Sequence, residues 1–128
     1  MRVFVDTSVW IEYFRGGHAA NHIDVLIDEN VIVINDIVLA ELVPFLKLRK
    51  QNSVIRLLHE VTKLAFEIDW EEIIRFQTRC LQAGLNGIGI PDLMIGQNAK
   101  QNKCAIYSLD RHFHQIRDVI DIDLYEVY

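Results

Sequence analysis

The chain has 128 residues, of which 51% are hydrophobic and 24% are charged, so its composition excludes a disordered chain and indicates one folded domain over residues 1–128. Its net charge of −5 differs from the basic surface of most nucleic-acid-binding proteins, but it does not exclude a polyanionic substrate if several of the acids bind metal. Two cysteines are too few for a disulfide framework. The sequence contains no signal-peptide core and no apolar run near the 18 residues that a membrane helix needs, so we expect a soluble cytoplasmic protein.

The chain begins with a strand pattern followed by helix patterns. Val3–Val5 is a short apolar run that predicts a buried strand, and it stops at Asp6-Thr7-Ser8, where a helical pattern begins and continues to Gly16-Gly17. Apolar residues at helical spacing predict a second helix over Ala19–Glu29. Val31–Ile34 is β-branched throughout, which predicts a second strand buried on both faces.

The next part of the chain is predicted to be mostly helical. Ile37–Lys50 contains a helical apolar stripe, and Asn35-Asp36 offers a cap at its start. Pro44 inside this helix removes a backbone hydrogen bond, so we expect a kink there. A further amphipathic helix is predicted over Ser53–Thr62, and a short third strand over Leu64–Ile68.

The second half repeats the alternation of helices and strands. Helices are predicted over Trp70–Ala83 and Pro91–Lys100, separated by the glycine-rich stretch Gly84–Gly89. Cys104–Tyr107 predicts a fourth strand, and the apolar–acidic alternation over Ile120–Leu124 predicts an exposed strand with one wet face. Strands that alternate with helices indicate an α/β fold with a mainly parallel sheet.

Four acids occupy related places in this pattern. Asp6 and Asp110 directly follow the first and fourth strands, Glu41 lies among apolar residues in the helix after the second strand, and Asp92 lies in the first turn of its helix. Three of them have an ordinary alternative: helix capping for Asp6 or its neighbours, a solvent-directed side chain for Glu41, and a favourable helix-dipole position for Asp92.

Taken together, these acids indicate a metal site at the carboxyl edge of the sheet. Two carboxylates about 4 Å apart at an effective dielectric constant near 20 repel by roughly 4 kcal/mol, so a cluster requires protonation or a bound cation. Oxygen ligands favour Mg²⁺ or Mn²⁺ over zinc. Ions held in this way assist the hydrolysis of phosphodiesters, because they polarise the phosphate and lower the pKa of an attacking water.

Essentially the whole chain resembles the PIN-domain nucleases, and most closely the toxin ribonucleases of VapBC toxin–antitoxin pairs. Four segments in order give this resemblance: Val5-Asp6-Thr7-Ser8-Val9-Trp10-Ile11, Leu39-Ala40-Glu41-Leu42, Pro91-Asp92-Leu93-Met94-Ile95-Gly96 and Ser108-Leu109-Asp110-Arg111-His112-Phe113. The resemblance implies a single-domain α/β/α sandwich with a parallel sheet, and an endoribonuclease that uses Mg²⁺ or Mn²⁺.

The resemblance also implies site residues and partners. Asp6, Glu41, Asp92 and Asp110 match the acidic metal site and catalytic residues of the family. Ser8 and Ser108 match the hydroxyl positions that support this site. The implied partners are an RNA substrate, a cognate antitoxin and a second copy in a homodimer, with no membrane.

The chain departs from the family pattern at His112, where members often have a further Asp, and this leaves open whether one or two ions bind. We expect His112 to be a surface histidine, and its spacing to His114 makes no zinc site without softer ligands. Other features have more than one interpretation. Trp10, Tyr13 and Phe14 with Phe45 belong to a protein interface or to the core. Lys47, Arg49 and Lys50 guide RNA or form a solvated helix face, whereas Arg75 and Arg79 serve RNA, a partner or solvent.

Three other functions compete with that of a nuclease. A response-regulator receiver requires an Asp after a middle strand and a Lys after a late strand, whereas Gln51–Ile55 lacks that Asp and Lys103 precedes its strand. A haloacid-dehalogenase-type phosphatase requires an Asp at the position of Ser8. A PIN-like binding scaffold without activity stays possible on sequence grounds, although all four acids are present.

Overall fold

The computed structural model describes residues 1–17 and 21–127. The predicted second helix begins at Ala19, which with Ala20 lies outside the described residues. The elements in chain order are β1 (Val3–Val5), α1 (Thr7–Phe14), α2 (Ile23–Asp28), β2 (Ile32–Ile34), α3 (Asp36–Leu48), α4 (Asn52–Glu60), β3 (Thr62–Lys63), α5 (Trp70–Gln82), α6 (Ile90–Gln101), β4 (Ala105–Tyr107) and α7 (Arg111–Ile120).

The four strands form one parallel sheet in the order β3-β2-β1-β4. Val3 pairs with Ile32 on one side and with Ala105 on the other. Every residue of β1, β2 and β4 is buried, because helices cover both faces of a parallel sheet. The predicted single-domain α/β/α sandwich is confirmed.

The strand order creates a crevice between β1 and β4. The chain moves from β1 to β2 and β3 in one direction and then returns past β1 to β4. Right-handed crossovers in opposite directions place their helices on opposite faces of the sheet. Accordingly, α1, α3 and α4 pack in one group and α5, α6 and α7 in another. Open α/β sheets bind ligands outside the carboxyl ends of their strands at such a reversal.

The prediction of a third strand over Leu64–Ile68 was wrong, because β3 lies two residues earlier at Thr62–Lys63. The last bond of this ladder runs from the Leu64 amide to the Ile34 carbonyl at 2.7 Å. β2 ends at Ile34, because the next residue, Asn35, is the N-cap of α3. Beyond this point the segment after β3 has no strand partner, and side chains of α6 provide its hydrogen bonds. Asn98 donates to the Ala65 carbonyl and Gln101 donates to the Glu67 carbonyl.

The tail differs from its predicted strand over Ile120–Leu124. Ile120 ends α7, a helix that the sequence interpretation did not include, and Asp121 turns the chain with a left-handed φ of 58°. Only Leu124 bridges the sheet, in parallel with Ile106. The apolar and acidic residues still face opposite environments, as the alternation predicts. Ile120 and Ile122 are buried, while Asp121 and Asp123 are exposed.

The start of α3 is fixed by buried amides. Asn35 caps the helix by accepting a hydrogen bond from the Val38 amide at 3.2 Å, and its Nδ2 donates to Oδ1 of Asn98 at 3.0 Å. Both asparagines are almost fully buried. The helix continues through Pro44 to Leu48, and the kink expected there stays a prediction. This arrangement fixes the helix on which Glu41 lies.

Candidate active site

Asp6 lies at the carboxyl end of β1, where its amide donates to the Tyr107 carbonyl at 2.9 Å and continues the β1–β4 ladder. Its side chain is only 5% exposed. Although Asp6 occupies the N-cap position of α1, its carboxylate makes no capping hydrogen bond. Instead, its Oδ2 accepts from the hydroxyls of Ser8 and Ser108, each at 2.8 Å. The carboxylate is therefore held in the crevice and does not serve as a cap.

The same two serines organise the loop that follows β4. Ser8 Oγ accepts from the Leu109 amide at 3.0 Å, and Ser108 Oγ accepts from the Asp110 amide at 2.9 Å. Their hydroxyl oxygens lie 3.3 Å apart. Each serine thus joins the Asp6 carboxylate to the backbone that positions Asp110.

Glu41 approaches the crevice from α3. Its Oε1 accepts from the Thr7 hydroxyl at 3.3 Å, which connects it to the first residue of α1. Glu41 is exposed by its accessible surface, but the desolvation that it still experiences raises its pKa, and the negative charges of Asp6, Asp92 and Asp110 raise it further, against the opposing effect of the Thr7 hydrogen bond. These three charges act on Glu41 because all four predicted acids lie at one edge of the sheet.

Asp92 and Asp110 lie on either side of His112. Asp92 is in the first turn of α6, after Pro91, and its Oδ2 is 3.1 Å from Nδ1 of His112. Asp110 caps α7 by accepting from the His112 amide at 2.9 Å, and its Oδ1 is 3.6 Å from the same imidazole nitrogen. Burial raises the pKa of Asp92, although the hydrogen bond and charge of His112 oppose this rise.

His112, which we expected at the surface, is partly exposed and also lies against the acids. Its side chain is 30% exposed and its ring contacts two of the acids, because Asp110 is the N-cap of α7 and the first turn of this helix packs near α6. Ligand atoms of Asp92, Asp110 and His112 lie within 4.8 Å of one another, which is close enough to bind one ion. The sequence signal was available, since His112 occupies a position that is often acidic in the resembled family.

The family model of the PIN domain matches residues 3–119 of the chain. The chain belongs to the PIN domain family. The match begins in β1 and ends in α7, so it includes every element that positions the acids. The initial resemblance to PIN-domain proteins is therefore confirmed.

A solved structure gives the same fold for this PIN domain. The chain is similar to one from "Crystal Structure of FitAcB from Neisseria gonorrhoeae", with a TM-score of 0.71 and 20% sequence identity, and the match covers 97% of this chain and 96% of that one. A search of curated proteins found no match. At this identity, the structural similarity supports the PIN fold alone.

An apolar groove lies on the α1 side of this PIN domain. It has a volume of about 560 Å³ and lies between α1, α2 and α4. Trp10 is buried in the core, with its indole nitrogen donating to the Val5 carbonyl at 3.1 Å. Tyr13 and Phe14 are half-buried, and with Trp10 they line the groove. These aromatics therefore belong both to the core and to an accessible surface.

The described residues add two further observations. Lys47, Arg49 and Lys50 are exposed at the end of α3, and Arg75 and Arg79 are exposed on α5. Within residues 1–17 and 21–127, no helix is both long and apolar enough to cross a membrane.

Proposed function

We propose that this PIN domain is an endoribonuclease that uses Mg²⁺ or Mn²⁺, with Asp6, Glu41, Asp92 and Asp110 as its metal-binding and catalytic residues. One observation is central: desolvation and the negative charges of Asp6, Asp92 and Asp110 together raise the pKa of Glu41, so the charges of acids from three other parts of the chain act on this side chain. A divalent cation would relieve this repulsion. PIN domains are typically metal-dependent nucleases, which supports the same assignment.

The donor set fits a hard cation. It consists of carboxylate oxygens with one imidazole nitrogen, and such oxygen-rich sets suit Mg²⁺ and Mn²⁺. The cysteines at positions 80 and 104 are buried in the core. Both serine hydrogen bonds to Asp6 end on its Oδ2, so Oδ1 is free of them and would be available to hold the cation.

When bound, the cation polarises the phosphate of the substrate and lowers the pKa of the attacking water. The residues of this chain hold and orient the reacting groups. Ser8 and Ser108 fix the Asp6 carboxylate and the loop before Asp110, while Thr7 holds Glu41. One carboxylate of the cluster accepts the proton of the attacking water, as a general base within hydrogen-bond distance does.

We further propose that the domain is the toxin of a type II toxin–antitoxin pair and acts in the cytoplasm. The VapBC resemblance supports a cognate antitoxin partner. The groove between α1, α2 and α4 is a suitable surface for an apolar antitoxin segment, since exposed Ile27 and Leu57 lie along it. An exposed apolar row on α5 (Trp70, Ile74 and Leu81) supports a homodimer.

Expression in bacteria tests the toxin proposal. Wild-type protein should arrest growth, and Asp6→Asn should relieve the arrest at equal protein level, because the substitution removes one negative charge from the cluster. Total RNA from arrested cells should contain new cleavage products that are absent with the variant. Growth arrest by both proteins, or by neither, would favour the alternative of a PIN-like binding scaffold without nuclease activity.

A further inference from the structure

Two arginines from different helices lie against the ring of Phe45. The guanidinium carbon of Arg49 is 3.7 Å from the ring centroid, and that of Arg15 is 5.8 Å away. Arg49 also donates to the Phe45 carbonyl at 3.3 Å. Phe14 and Val54 complete the walls of a small pocket of about 160 Å³ at this point. The ring therefore holds two cationic groups in a fixed place on an exposed surface.

The positive charge at this place is not neutralised within the described part of the chain. No carboxylate there lies within 4.0 Å of the Arg15 or Arg49 guanidinium. Lys47 and Lys50 are exposed nearby on the same helix end. In a chain with a net charge of −5, this is a concentration of cations that attracts an anion.

The arginine pair is connected to the acidic site by two helices. Glu41, Phe45 and Arg49 follow one another at intervals of four residues on α3, so they lie along one face of that helix. At 1.5 Å per residue, Arg49 is about 12 Å along the axis from Glu41. The helix α1 makes the same connection, because it starts directly after Asp6 and Arg15 is its C-cap residue.

We propose that Arg15, Phe45 and Arg49 form a subsite that binds a backbone phosphate of the RNA strand at a distance from the scissile phosphate. This inference rests on the proposed ribonuclease function. Guanidinium groups bind phosphate oxygens through paired hydrogen bonds, and an aromatic ring orients them and contributes to the binding of single-stranded RNA. A strand that enters the acidic site along α1 and α3 passes this cationic pair, which favours RNA over an acidic peptide as the occupant.

Binding in a cleavage-deficient background tests the subsite without interference from catalysis. A fluorescein-labelled single-stranded RNA of mixed sequence would be titrated with Asp6→Asn protein in Mg²⁺, and with the same protein that also contains Arg15→Gln and Arg49→Gln. We expect the Kd to rise at least about tenfold, since each charge-assisted hydrogen bond contributes substantially to binding. The slope of log K against log salt should become shallower by about 0.7 for each phosphate contact that is lost.

Arg75→Gln with Arg79→Gln, in the same background, is the matched control. It removes the same charge from an exposed face of α5, and it should change the Kd by less than about twofold. Phe45→Leu, which keeps both arginines but removes the ring, should weaken binding by an intermediate factor. Melting temperatures near that of the parent protein establish that each variant is folded.

Several results would overturn the subsite. One is equal weakening by both arginine pairs, which indicates general charge attraction only. Another is an unchanged Kd for Arg15→Gln/Arg49→Gln, and a third is binding of a poly-glutamate peptide at these arginines in place of the RNA. Cleavage by the wild type in a parallel assay separates the two proposals: cleavage with an unchanged Kd rejects the subsite alone, and no cleavage with any metal rejects the function.

Discussion

Nδ1 of His112 lies 3.1 Å from Oδ2 of Asp92 and 3.6 Å from Oδ1 of Asp110. The imidazole therefore occupies a place from which a fifth carboxylate would face the cluster. In the proposed function it serves as a nitrogen ligand or as a positioning group for Asp92. Compared with a carboxylate at this position, it leaves the site with less negative charge.

His112→Asp should strengthen Mg²⁺ binding about tenfold, because it adds an oxygen ligand of the kind that Mg²⁺ prefers. Without metal, the variant should melt below the wild type, since it adds a like charge to the cluster. The rise in Tm with added Mg²⁺ measures both effects, because tighter binding to the folded state increases it. His114→Asp, two residues further along α7 and exposed, is the control. An equal rise in Tm with Mg²⁺ for His112→Asp and His114→Asp would show that His112 does not face the ion.

Ser108→Ala should slow RNA cleavage about 10- to 100-fold at saturating metal. The substitution removes a hydrogen bond to Asp6 and the acceptor for the Asp110 amide, so both carboxylates lose their fixed positions. Ser53→Ala, at an exposed position in α4, should cleave at the wild-type rate. A cleavage rate of Ser108→Ala within twofold of the wild type would contradict a supporting role.

Glu41→Gln should raise the Tm of the metal-free protein at pH 7 by about 1–4 °C, because it removes one of the charges that repel each other. The folded-state pKa of Glu41 is raised, so the folded state binds this proton more tightly than the unfolded state. Stability consequently falls as the pH rises through the interval between the ordinary pKa and the raised one. The difference in Tm between Glu41→Gln and the wild type should therefore shrink as the pH is lowered toward about 4.

Thermal melts in EDTA at several pH values measure this dependence. Glu29→Gln, an exposed acid at the end of α2, is the matched control and should show no advantage. With saturating Mg²⁺ the order should reverse, because Glu41→Gln has lost a ligand. A variant that melts below the wild type in EDTA at every pH would contradict the repulsion.

Asn35→Ala should lower the free energy of unfolding by about 2–4 kcal/mol, because it removes a helix cap and leaves the amide of Asn98 without one of its partners. Chemical denaturation measures this loss. Asp36→Ala is the adjacent control: it removes only an exposed ion pair with Lys63, so its cost should stay below about 1 kcal/mol. Similar losses in the two variants would mean that the buried amides do not stabilise α3.

The sequence predicted the sheet well where the strands are buried. The three runs of β1, β2 and β4 are apolar on both faces, and such runs differ clearly from the amphipathic helices between them. The prediction was wrong at β3, whose residues Thr62 and Lys63 are polar and exposed. An edge strand has one partner only, so its position depends on where β2 ends, and local pattern does not contain that information.

The candidate site was predictable in part, because carboxyl ends of parallel strands meet at one edge. This rule brings together Asp6 and Asp110. The structure adds Glu41, on which the charges of Asp6, Asp92 and Asp110 act, and Asp92, which contacts His112 beside Asp110. The position of His112 depends on α7, a helix that begins at its Asp110 cap. The arginine pair at Phe45 depends on the packing of α1 against α3, which no local pattern contains.

RNA cleavage by wild type, Asp6→Asn and Asp36→Asn, each with Mg²⁺, with Mn²⁺ and with EDTA, tests the central claim most directly. Both substitutions remove one negative charge, but only Asp6 is buried in the crevice, whereas Asp36 is exposed at the start of α3. Wild type and Asp36→Asn should cleave with either metal and not in EDTA, and Asp6→Asn should be at least about 100-fold slower, as expected when a charged group at the reacting centre is lost. Equal cleavage by Asp6→Asn and wild type, or no cleavage by the wild type with either metal, would contradict the account.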